Sequence, residues 1–301
     1  MKYINGLVIL IFLVSCNKQM EIKQPQFPVE EFQQFAVTTV KFAKAAKFLK
    51  REVSYLSNKP LLKNVRMFSY DGNNRCIEIK VGTIDSSSAN PAFILTQILS
   101  FSYDNNNTLL PSAFSSVRTV FPNLVTVFYY KYNNSGLKIT DSVRVKNQAG
   151  EPADRTVHYV YDKERVYATP VLTGFSMDNI PLDTLDLLKA GNIEKLTSKI
   201  KNSNSVSVVT YTFSYDQHVN PYSKLNIANS LYFESSALGL GYNVPLETHY
   251  MGVTTNNMTA WTTGTYTVTM KYLYDKDNYP VKKEMMMPGV SGPYQVSFFE
   301  Y

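Results

Sequence analysis

One short pattern, an aromatic residue, any residue, then Tyr-Asp, recurs along the chain and restricts its fold more than any other feature. The copies centre on Tyr70-Asp71, Tyr103-Asp104, Tyr132-Asn133, Tyr161-Asp162, Tyr215-Asp216 and Tyr274-Asp275. The intervals between these tyrosines are 33, 29, 29, 54 and 59 residues. The last two are close to twice the earlier ones, and self-similarity at a fixed period indicates a repeat architecture. We infer a unit of about 29 residues with two degenerate copies, near residues 188 and 245.

Each copy has the chemistry of a β-hairpin. The aromatic residue and the tyrosine are two positions apart, so they point to the same face of a strand. The aspartate that follows can accept hydrogen bonds from the backbone of its own turn. Asn and Gly residues, which tolerate positive φ, come next, and then a second alternating segment such as residues 76–81. The tyrosine–aspartate pairs are therefore interpreted as structural turn residues.

A series of such hairpins predicts a mainly β fold, an antiparallel meander with its tyrosines in a ladder across neighbouring strands. The 22 Tyr and 17 Phe residues agree, because aromatic side chains suit pleated, half-buried surfaces. A flat meander would expose both faces and both edges. We therefore expect a curled sheet or an open barrel.

Two segments carry a more specific resemblance. Residues 132–137, Tyr-Asn-Asn-Ser-Gly-Leu, are similar to the Tyr-Asp-x-x-Gly-x-Leu core of YD repeats, and residues 213–222 carry an Asn-Pro-Tyr sequence after Tyr-Asp. On these residues the chain resembles the Rhs/YD-repeat superfamily, and more closely the YD-repeat-like lipoproteins of Bacteroidetes, whose function is unassigned. The resemblance spans roughly residues 63–301 and implies a fold. It assigns no catalytic residue.

The N-terminal segment has the pattern of a lipoprotein signal. Lys2 is followed by an apolar run at residues 7–14, which is shorter than the ~20 apolar residues of a membrane span. Leu13-Val14-Ser15-Cys16 resembles a bacterial lipobox, in which the chain is cut before the cysteine and the cysteine is lipidated. An ordinary signal peptide with a chance cysteine is the alternative. We predict a signal peptide at 1–15, lipid on Cys16, a linker at 16–29 and a single β-repeat domain at 30–301.

The residue after the cysteine bears on location and partners. Asn17, where Asp would suggest retention in the inner membrane, favours an outer-membrane lipoprotein on the periplasmic face or the cell surface. The predicted partners are the membrane, through the lipid on Cys16, and a polysaccharide or another envelope protein. The formal charge of +6 is spread along the chain and does not indicate nucleic acid.

Two segments depart from the hairpin pattern and predict helices. Residues 30–57 place apolar side chains at helical spacing opposite a lysine-rich face, which predicts an N-terminal helix. That helix would either lie on anionic lipid or pack on the first hairpins. Residues 181–201, with Asp183 as a candidate cap and Gly191-Asn192 as an interruption, predict a short helical insertion. It would cover the sheet or close over a groove.

Residues of the kind that perform catalysis or bind metals do not form a recognisable pattern. Cys76 is interpreted as a buried small hydrophobic residue of a strand, with a nucleophile as the alternative. His158, His218 and His249 are not at metal-ligand spacing. The turn aspartates are explained without calcium. We predict no catalytic residue, no metal and no cofactor.

The aromatic stretch from residue 231 to 261 is the best candidate for recognition. Tyr242, Tyr250 and Trp261 could stack on sugar rings, and ordinary core packing is the alternative. The predicted function is that of a lipid-anchored envelope protein with a non-catalytic binding or structural role, with a glycan as candidate ligand. The alternative is a glycan-active hydrolase that uses paired carboxylates, so enzymatic activity is left open.

Overall fold

The computed structural model describes residues 47–104, 110–134, 138–146, 155–162, 165–172, 181–187, 192–202, 205–222 and 256–301. All of them belong to one compact unit, residues 34–301. The strands of these ranges are β1 (Arg51–Leu56), β2 (Leu62–Tyr70), β3 (Cys76–Asp85), β4 (Phe93–Ser102), β5 (Ala113–Arg118), β6 (Phe121–Tyr132), β7 (Lys138–Lys146), β8 (Arg155–Asp162), β9 (Arg165–Leu172), β10 (Pro181–Leu187), β11 (Ile193–Asn202), β12 (Ser205–Val219), β13 (Asn256–Thr263), β14 (Tyr266–Tyr274), β15 (Pro280–Met286) and β16 (Gln295–Glu300).

The strands form one antiparallel meander that closes into a barrel. Each strand pairs with the next along the chain, and β1 pairs with both β2 and β16. The closing pair runs from Arg51 opposite Glu300 to Leu56 opposite Gln295. The predicted antiparallel meander of hairpins is confirmed. Pairing of the first strand with the last removes both exposed edges, the main liability of an isolated meander.

The hairpin connections alternate between the two ends of the barrel, because successive strands run in opposite directions. We call one end the Tyr-Asp end. It holds the connections that follow even-numbered strands, such as residues 71–75 and 275–279. The distal end holds the connections that follow odd-numbered strands, such as residues 57–61 and 119–120.

The tyrosine–aspartate pairs lie where the sequence places them. Five of the tyrosines end the first strand of a hairpin, precede its last residue or follow it directly: Tyr70, Tyr103, Tyr132, Tyr161 and Tyr274. The exception is β12, which continues past Tyr215 and Asp216 to Val219. The hairpin unit inferred from the repeat is therefore the unit of the fold.

The inner face of the barrel carries the core. The aromatic residue two positions before a repeat tyrosine is buried there, as in Phe68, Phe101, Tyr130, Tyr159 and Phe213. In β5, the ring of Phe114 stacks on Phe128 of β6 with centroids 4.3 Å apart and planes 3° apart. It also stacks on Phe101 of β4 at 5.4 Å. Neighbouring strands are thus joined by aromatic contacts as well as by backbone hydrogen bonds.

The outer face of the barrel carries ion pairs beside exposed apolar side chains such as Val160, Leu273 and Phe298. Arg51 of β1 contacts Glu300 of β16 at 3.1 Å, and Arg165 of β9 contacts Asp186 of β10 at 2.6 Å. Cross-strand threonines add hydrogen bonds, as between Thr262 and Thr267 at 3.0 Å. These strands therefore turn charged side chains toward solvent on their outer face.

Both helix predictions are wrong where the structure describes them. Residues 51–56, the last part of the predicted helix 30–57, form β1, while residues 30–46 lie outside the described residues. Of the predicted helical insertion at 181–201, residues 181–187 form β10 and residues 193–201 belong to β11, while 188–191 lie outside the described residues. Strand pairing on both sides outweighs local helix propensity in each case. The repeat spacing had already placed a degenerate copy near residue 188, and the β10–β11 hairpin occupies that place.

No helix in the described ranges is both long enough and apolar enough to cross a lipid bilayer.

Candidate functional site

The turns of the Tyr-Asp end are built by their aspartates. The Asp71 carboxylate accepts hydrogen bonds from the backbone N–H of Asn73 and of Arg75, both at 2.9 Å. Asp275 repeats the arrangement with Asp277 and Tyr279, at 2.9 and 3.0 Å. These carboxylates shape the backbone, as the sequence predicts.

An asparagine at positive φ completes each of these turns. Asn74 has φ 60° and Asn278 has φ 64°, the region in which Asn is tolerated better than most residues. Each lies three positions after its aspartate. The five-residue turns at 71–75 and 275–279 are therefore copies of one structure.

Cations neutralise the turn aspartates. The Arg75 guanidinium donates to Asp71 at 2.7 Å, and its plane lies 4.5 Å from the centre of the Tyr103 ring. Lys47 contacts Asp275 at 2.6 Å and Asp277 at 2.9 Å. Hydrogen bonds from the backbone and from Arg75 lower the pKa of Asp71. The carboxylates are held ionised.

Tyrosine hydroxyls link hairpins to the segment before them. Four repeat tyrosines and Tyr301 donate to backbone carbonyls at 2.7–3.0 Å: Tyr70 to Leu49, Tyr103 to Cys76, Tyr132 to Pro111, Tyr215 to Ile193 and Tyr301 to Pro280. Cys76 and Pro280 are the first residues of β3 and β15, directly after the turns that begin at Asp71 and Asp275. The tyrosine is therefore a link between repeats, a role that its position alone did not reveal.

Asp216 has partners that the sequence did not indicate. Because β12 continues beyond it, its carboxylate accepts a hydrogen bond from the Tyr274 hydroxyl and lies within 3.3 Å of the Asn257 side-chain nitrogen. His218 lies against the Tyr274 ring, with centroids 4.0 Å apart. Burial raises the pKa of Tyr274, and the Asp216 carboxylate raises it further. The pairing joins β12 to β14 across the intervening strand.

Charged and polar side chains meet on the inner face between β15 and β2. Glu52 and Arg66 form an ion pair at 3.0 Å, and the Glu52 carboxylate is almost completely buried. Ser297 is fully buried opposite Lys283, and its hydroxyl has no hydrogen-bond partner among the described residues. We call these four residues, together with Tyr222, the polar inner patch.

Tyr222 brings the segment after β12 into the polar inner patch. It follows Asn220 and Pro221 and lies buried with its ring 6.1 Å from that of Phe299 in β16. Its backbone N–H donates to the Asn220 side chain at 3.0 Å. Burial raises the pKa of Tyr222 well above its ordinary value, and the Glu52 carboxylate adds to the effect. The Asn-Pro-Tyr sequence was the only signal for this arrangement.

Of the predicted recognition residues, the structure describes Trp261. Its indole lies on the inner face between the rings of Tyr211 and Tyr266, at 6.1 and 5.7 Å. The three residues, which we call the aromatic trio, pack against the core. The indole N–H is buried without a hydrogen-bond partner among the described residues. Tyr242, Tyr250 and the predicted lipidation residue Cys16 lie outside the described residues.

Of the remaining candidates for chemistry, Cys76 and His158 are described, and His249 lies outside the described residues. Cys76 is buried, and burial raises the pKa of its thiol to about 12, so it is not a thiolate near neutral pH. His158 is exposed on the outer face, opposite to the inward Tyr159. Within the described ranges, no three His, Cys, Asp or Glu side chains converge in a way that could hold a metal ion.

The comparisons with known proteins identify the fold. A porin-like protein from Bacteroides uniformis has a TM-score of 0.51 and 13% identity, with 84% of this chain and 96% of that chain covered. A porin-like protein from Bacteroides vulgatus has a TM-score of 0.50 and 13% identity, with 85% and 99% covered. A Photorhabdus luminescens Tc holotoxin pore reaches a TM-score of only 0.26 at 12% identity, covering 77% of this chain and 13% of that one, which carries no argument.

Comparison by sequence adds no family. No protein-family model matches the chain, and no curated protein matches it. The two Bacteroides structures therefore share a fold with this protein, at an identity too low for a function to be transferred from one to the other.

Proposed function

We propose that this protein is a lipid-anchored component of the cell envelope whose barrel stands in water beside the membrane and has a binding or structural role without catalysis. The observation that supports this proposal is the presence of charged side chains on the outer face of the barrel. Membrane-spanning barrels turn an apolar band about 25 Å tall toward lipid, and a cation at its midplane costs ~2–4 kcal/mol. Here two ion pairs lie near the middle of their strands on that face: Lys80 with Glu78 in β3 and Lys282 with Glu284 in β15.

A barrel that stands in water needs a separate attachment to the membrane. The lipobox that ends at Cys16 would provide it, because two or three acyl chains anchor a protein firmly whereas one binds only marginally. The resemblance to YD-repeat-like lipoproteins of Bacteroidetes agrees with this attachment. The fold shared with porin-like proteins of Bacteroides supports an envelope location. The proposed location is the outer membrane, on the periplasmic face or the cell surface.

The engagement of the carboxylates supports a non-catalytic role. A carboxylic acid that donates a proton in glycoside hydrolysis needs a raised pKa. Asp71 and Asp275 have lowered pKa values instead. Hydrogen bonds from the backbone and Arg75 lower that of Asp71, and for Asp275 the bonds from Lys47, Tyr279 and Asp277 outweigh the raising effect of burial. The described turn carboxylates thus serve structure.

Metabolic labelling tests the anchor. The full chain would be expressed in a Bacteroidetes host with an alkyne-bearing fatty acid, and incorporation would be measured together with membrane fractionation. The Cys16→Ser variant is expected to lose the label and leave the membrane fraction. Cys76→Ala is the matched control, because these two are the only cysteines of the chain. An unchanged label in Cys16→Ser would disprove the lipid anchor.

Planar-bilayer recording tests whether the barrel stands in water. The lipidated protein is expected to give no discrete conductance steps, because the charged outer face does not enter the hydrocarbon. Reproducible single-channel steps from the purified chain would overturn the proposal and establish a pore.

A glycan is the proposed ligand class, and the aromatic trio is the proposed contact. Rings with one polar edge bind sugar faces, and the buried Trp261 N–H lacks the acceptor that a sugar hydroxyl could supply. Trp261 is the only tryptophan of the chain, so its emission reports this position directly. Titration with envelope polysaccharides is expected to shift that emission saturably, without release of reducing ends. Trp261→Phe keeps the packing but removes the N–H, and it should weaken binding. Binding unaffected in that variant would place the site elsewhere.

A further inference from the structure

Exposed apolar side chains gather at the distal end of the barrel. They lie at or next to the hairpin connections of that end: Leu61, Leu62, Ile94, Val120, Phe121, Val206, Val208 and Val290. Val120 is 73% exposed, Val206 62% and Phe121 58%. We call this set the distal rim. Four of the five distal connections that the structure describes in full contribute to it, and Val206 and Val208 of β12 follow a further distal connection. Scattered apolar residues on a surface need no explanation, but their concentration at one end does.

Cations accompany the apolar residues on three hairpins of the distal rim. Lys59 and Lys63 flank Leu61 and Leu62, Arg118 pairs with Phe121, and Lys199 pairs with Val208 across the β11–β12 ladder. The one carboxylate of the adjacent β3–β4 connection, Asp85, is engaged by the backbone and hydroxyl of Ser87 at 2.9 and 2.6 Å. The described distal rim therefore combines exposed hydrocarbon with net positive charge.

We propose that the distal rim docks on an anionic phospholipid surface. Short apolar tips beside lysine and arginine suit the interface of a bilayer, where hydrocarbon enters the headgroup boundary and cations meet lipid phosphates. The apolar tips belong to separate hairpins, so each would insert on its own into the headgroup region. Among the described residues, the opposite end has fewer exposed apolar side chains. Ile77, Ile139, Val160 and Leu273 lie near its connections, and the exposed residues of its two copied turns, at 72–74 and at 276 and 278, are polar or glycine.

The length of chain before the barrel permits this contact together with the proposed lipid anchor. The chain advances 34 positions from Cys16 to Lys50 and enters β1 at the Tyr-Asp end. Fully extended, those positions reach at most about 110–120 Å. The 12-residue β6 is about 40 Å long. An anchored chain can therefore place its distal rim on the same membrane.

A tryptophan inserted in the rim tests the proposal on the full chain. Val120→Trp would be bound to vesicles of equal parts phosphatidylglycerol and phosphatidylcholine, and to vesicles of phosphatidylcholine alone, with the emission of the parent chain subtracted. The added emission is expected to shift to the blue and to be quenched by brominated lipid on the anionic vesicles only. Asn73→Trp, at an exposed position of the Tyr-Asp end, is the matched control and should stay exposed to water on both.

Charge variants complete the test. Lys59→Gln and Lys63→Gln in the Val120→Trp chain should each lower the insertion equilibrium constant about fivefold, the ratio for one cation near an anionic surface. Emission from Val120→Trp that stays water-like on anionic vesicles overturns the proposal. If the Val120→Trp emission shifts to the blue only after an envelope protein is added, the proposal is also overturned. The rim would then be a protein interface. Flotation of the chain with both vesicle types reports the lipid anchor separately, so failure of the rim is distinguishable from failure of the anchor.

Discussion

The two ends of the barrel are built from the same kind of hairpin but by different chemistry. At the Tyr-Asp end, aspartates accept backbone N–H groups, cations neutralise them, and tyrosine hydroxyls bond to the preceding unit. At the distal end, connections differ in length and carry exposed apolar tips. The repeated end therefore supplies stability and register, and the distal end is free to present a surface. Division between a fixed scaffold and variable loops is common where loops carry function.

The largest difference between the two ends is expected in packing. Phe114→Ala removes a ring that is almost fully buried between Phe101 and Phe128, and such a deletion costs ~3–5 kcal/mol of unfolding free energy. Phe121→Ala, at the distal rim, should stay within ~0.5 kcal/mol of the parent. Denaturant unfolding of both variants measures this. Equal losses would mean that the rim is part of the core.

The next largest difference is expected between the turn carboxylates of the two ends, in the stability lost when each is removed. Asp71→Ala removes the carboxylate that accepts from two backbone N–H groups and from the Arg75 side chain. It should cost ~1–3 kcal/mol because these donors lose their acceptor. Asp85→Ala, in a distal turn with an exposed partner, should cost ~1 kcal/mol or less. The comparison is made by thermal unfolding. A larger loss for Asp85→Ala would reverse the assignment of stability to the Tyr-Asp end.

Acid should weaken the Tyr-Asp end. The pKa of Asp275 lies below its ordinary value of 3.8 because the bonds from Lys47 and from the backbone outweigh the raising effect of burial. A lowered carboxyl pKa contributes stability that is present above the unfolded pKa and lost as pH falls through the folded one. Stability should therefore fall as pH drops below about 4. The hydrogen bond to Asp275 raises the pKa of Lys47. The stability that the Lys47 ammonium contributes should therefore be lost only at strongly alkaline pH.

A variant assigns the acid effect to this residue. The unfolding free energy of Asp275→Asn, measured across the acid range, should depend less on pH than that of the parent. An acid limb of unchanged steepness in Asp275→Asn would show that other carboxyls cause the loss.

The smallest of these effects concerns one hydrogen bond between repeats. Tyr103→Phe removes the donor to the Cys76 carbonyl and should cost ~0.5–1.5 kcal/mol. Tyr55→Phe is the control, because the Tyr55 hydroxyl makes no hydrogen bond among the described residues. Backbone amide hydrogens near Cys76 should also exchange with deuterium faster in Tyr103→Phe than in the parent. Identical stability of the two variants would show that the hydrogen bond from Tyr103 to Cys76 does not stabilise the fold.

Much of the fold followed from the sequence because the repeat encodes local geometry. Two aromatic residues on one strand face, an aspartate that ends the strand and an asparagine that tolerates positive φ are all readable without coordinates. The spacing even indicated the hairpin near residue 188, although the leucine-rich segment there was interpreted as helical. Leu185 and Leu187 have the spacing of a strand and Leu182 and Leu185 that of a helix, so the segment permits either structure. Only the pairing of β10 with β9 and β11 decides.

The candidate site was less accessible from the sequence. Trp261 was identified by its chemistry, but the aromatic trio depends on which strands are neighbours, as does the contact of Asp216 with Tyr274. Glu52 and Arg66 belong to segments with no unusual composition, and their burial results from the strand register. No local pattern could indicate them.

The sequence by itself determined the hairpin unit, its turns and its inward aromatic residues, because each depends on interactions among residues close in the chain. Tertiary structure alone decided that β1 meets β16, that Tyr222 reaches the inner wall beside Phe299, and that apolar tips of distant hairpins share one rim. These outcomes bring together groups separated by up to the whole domain. They are selected by the free energy of closing all edges and burying the inner face at once, a cooperative quantity that no single segment contains.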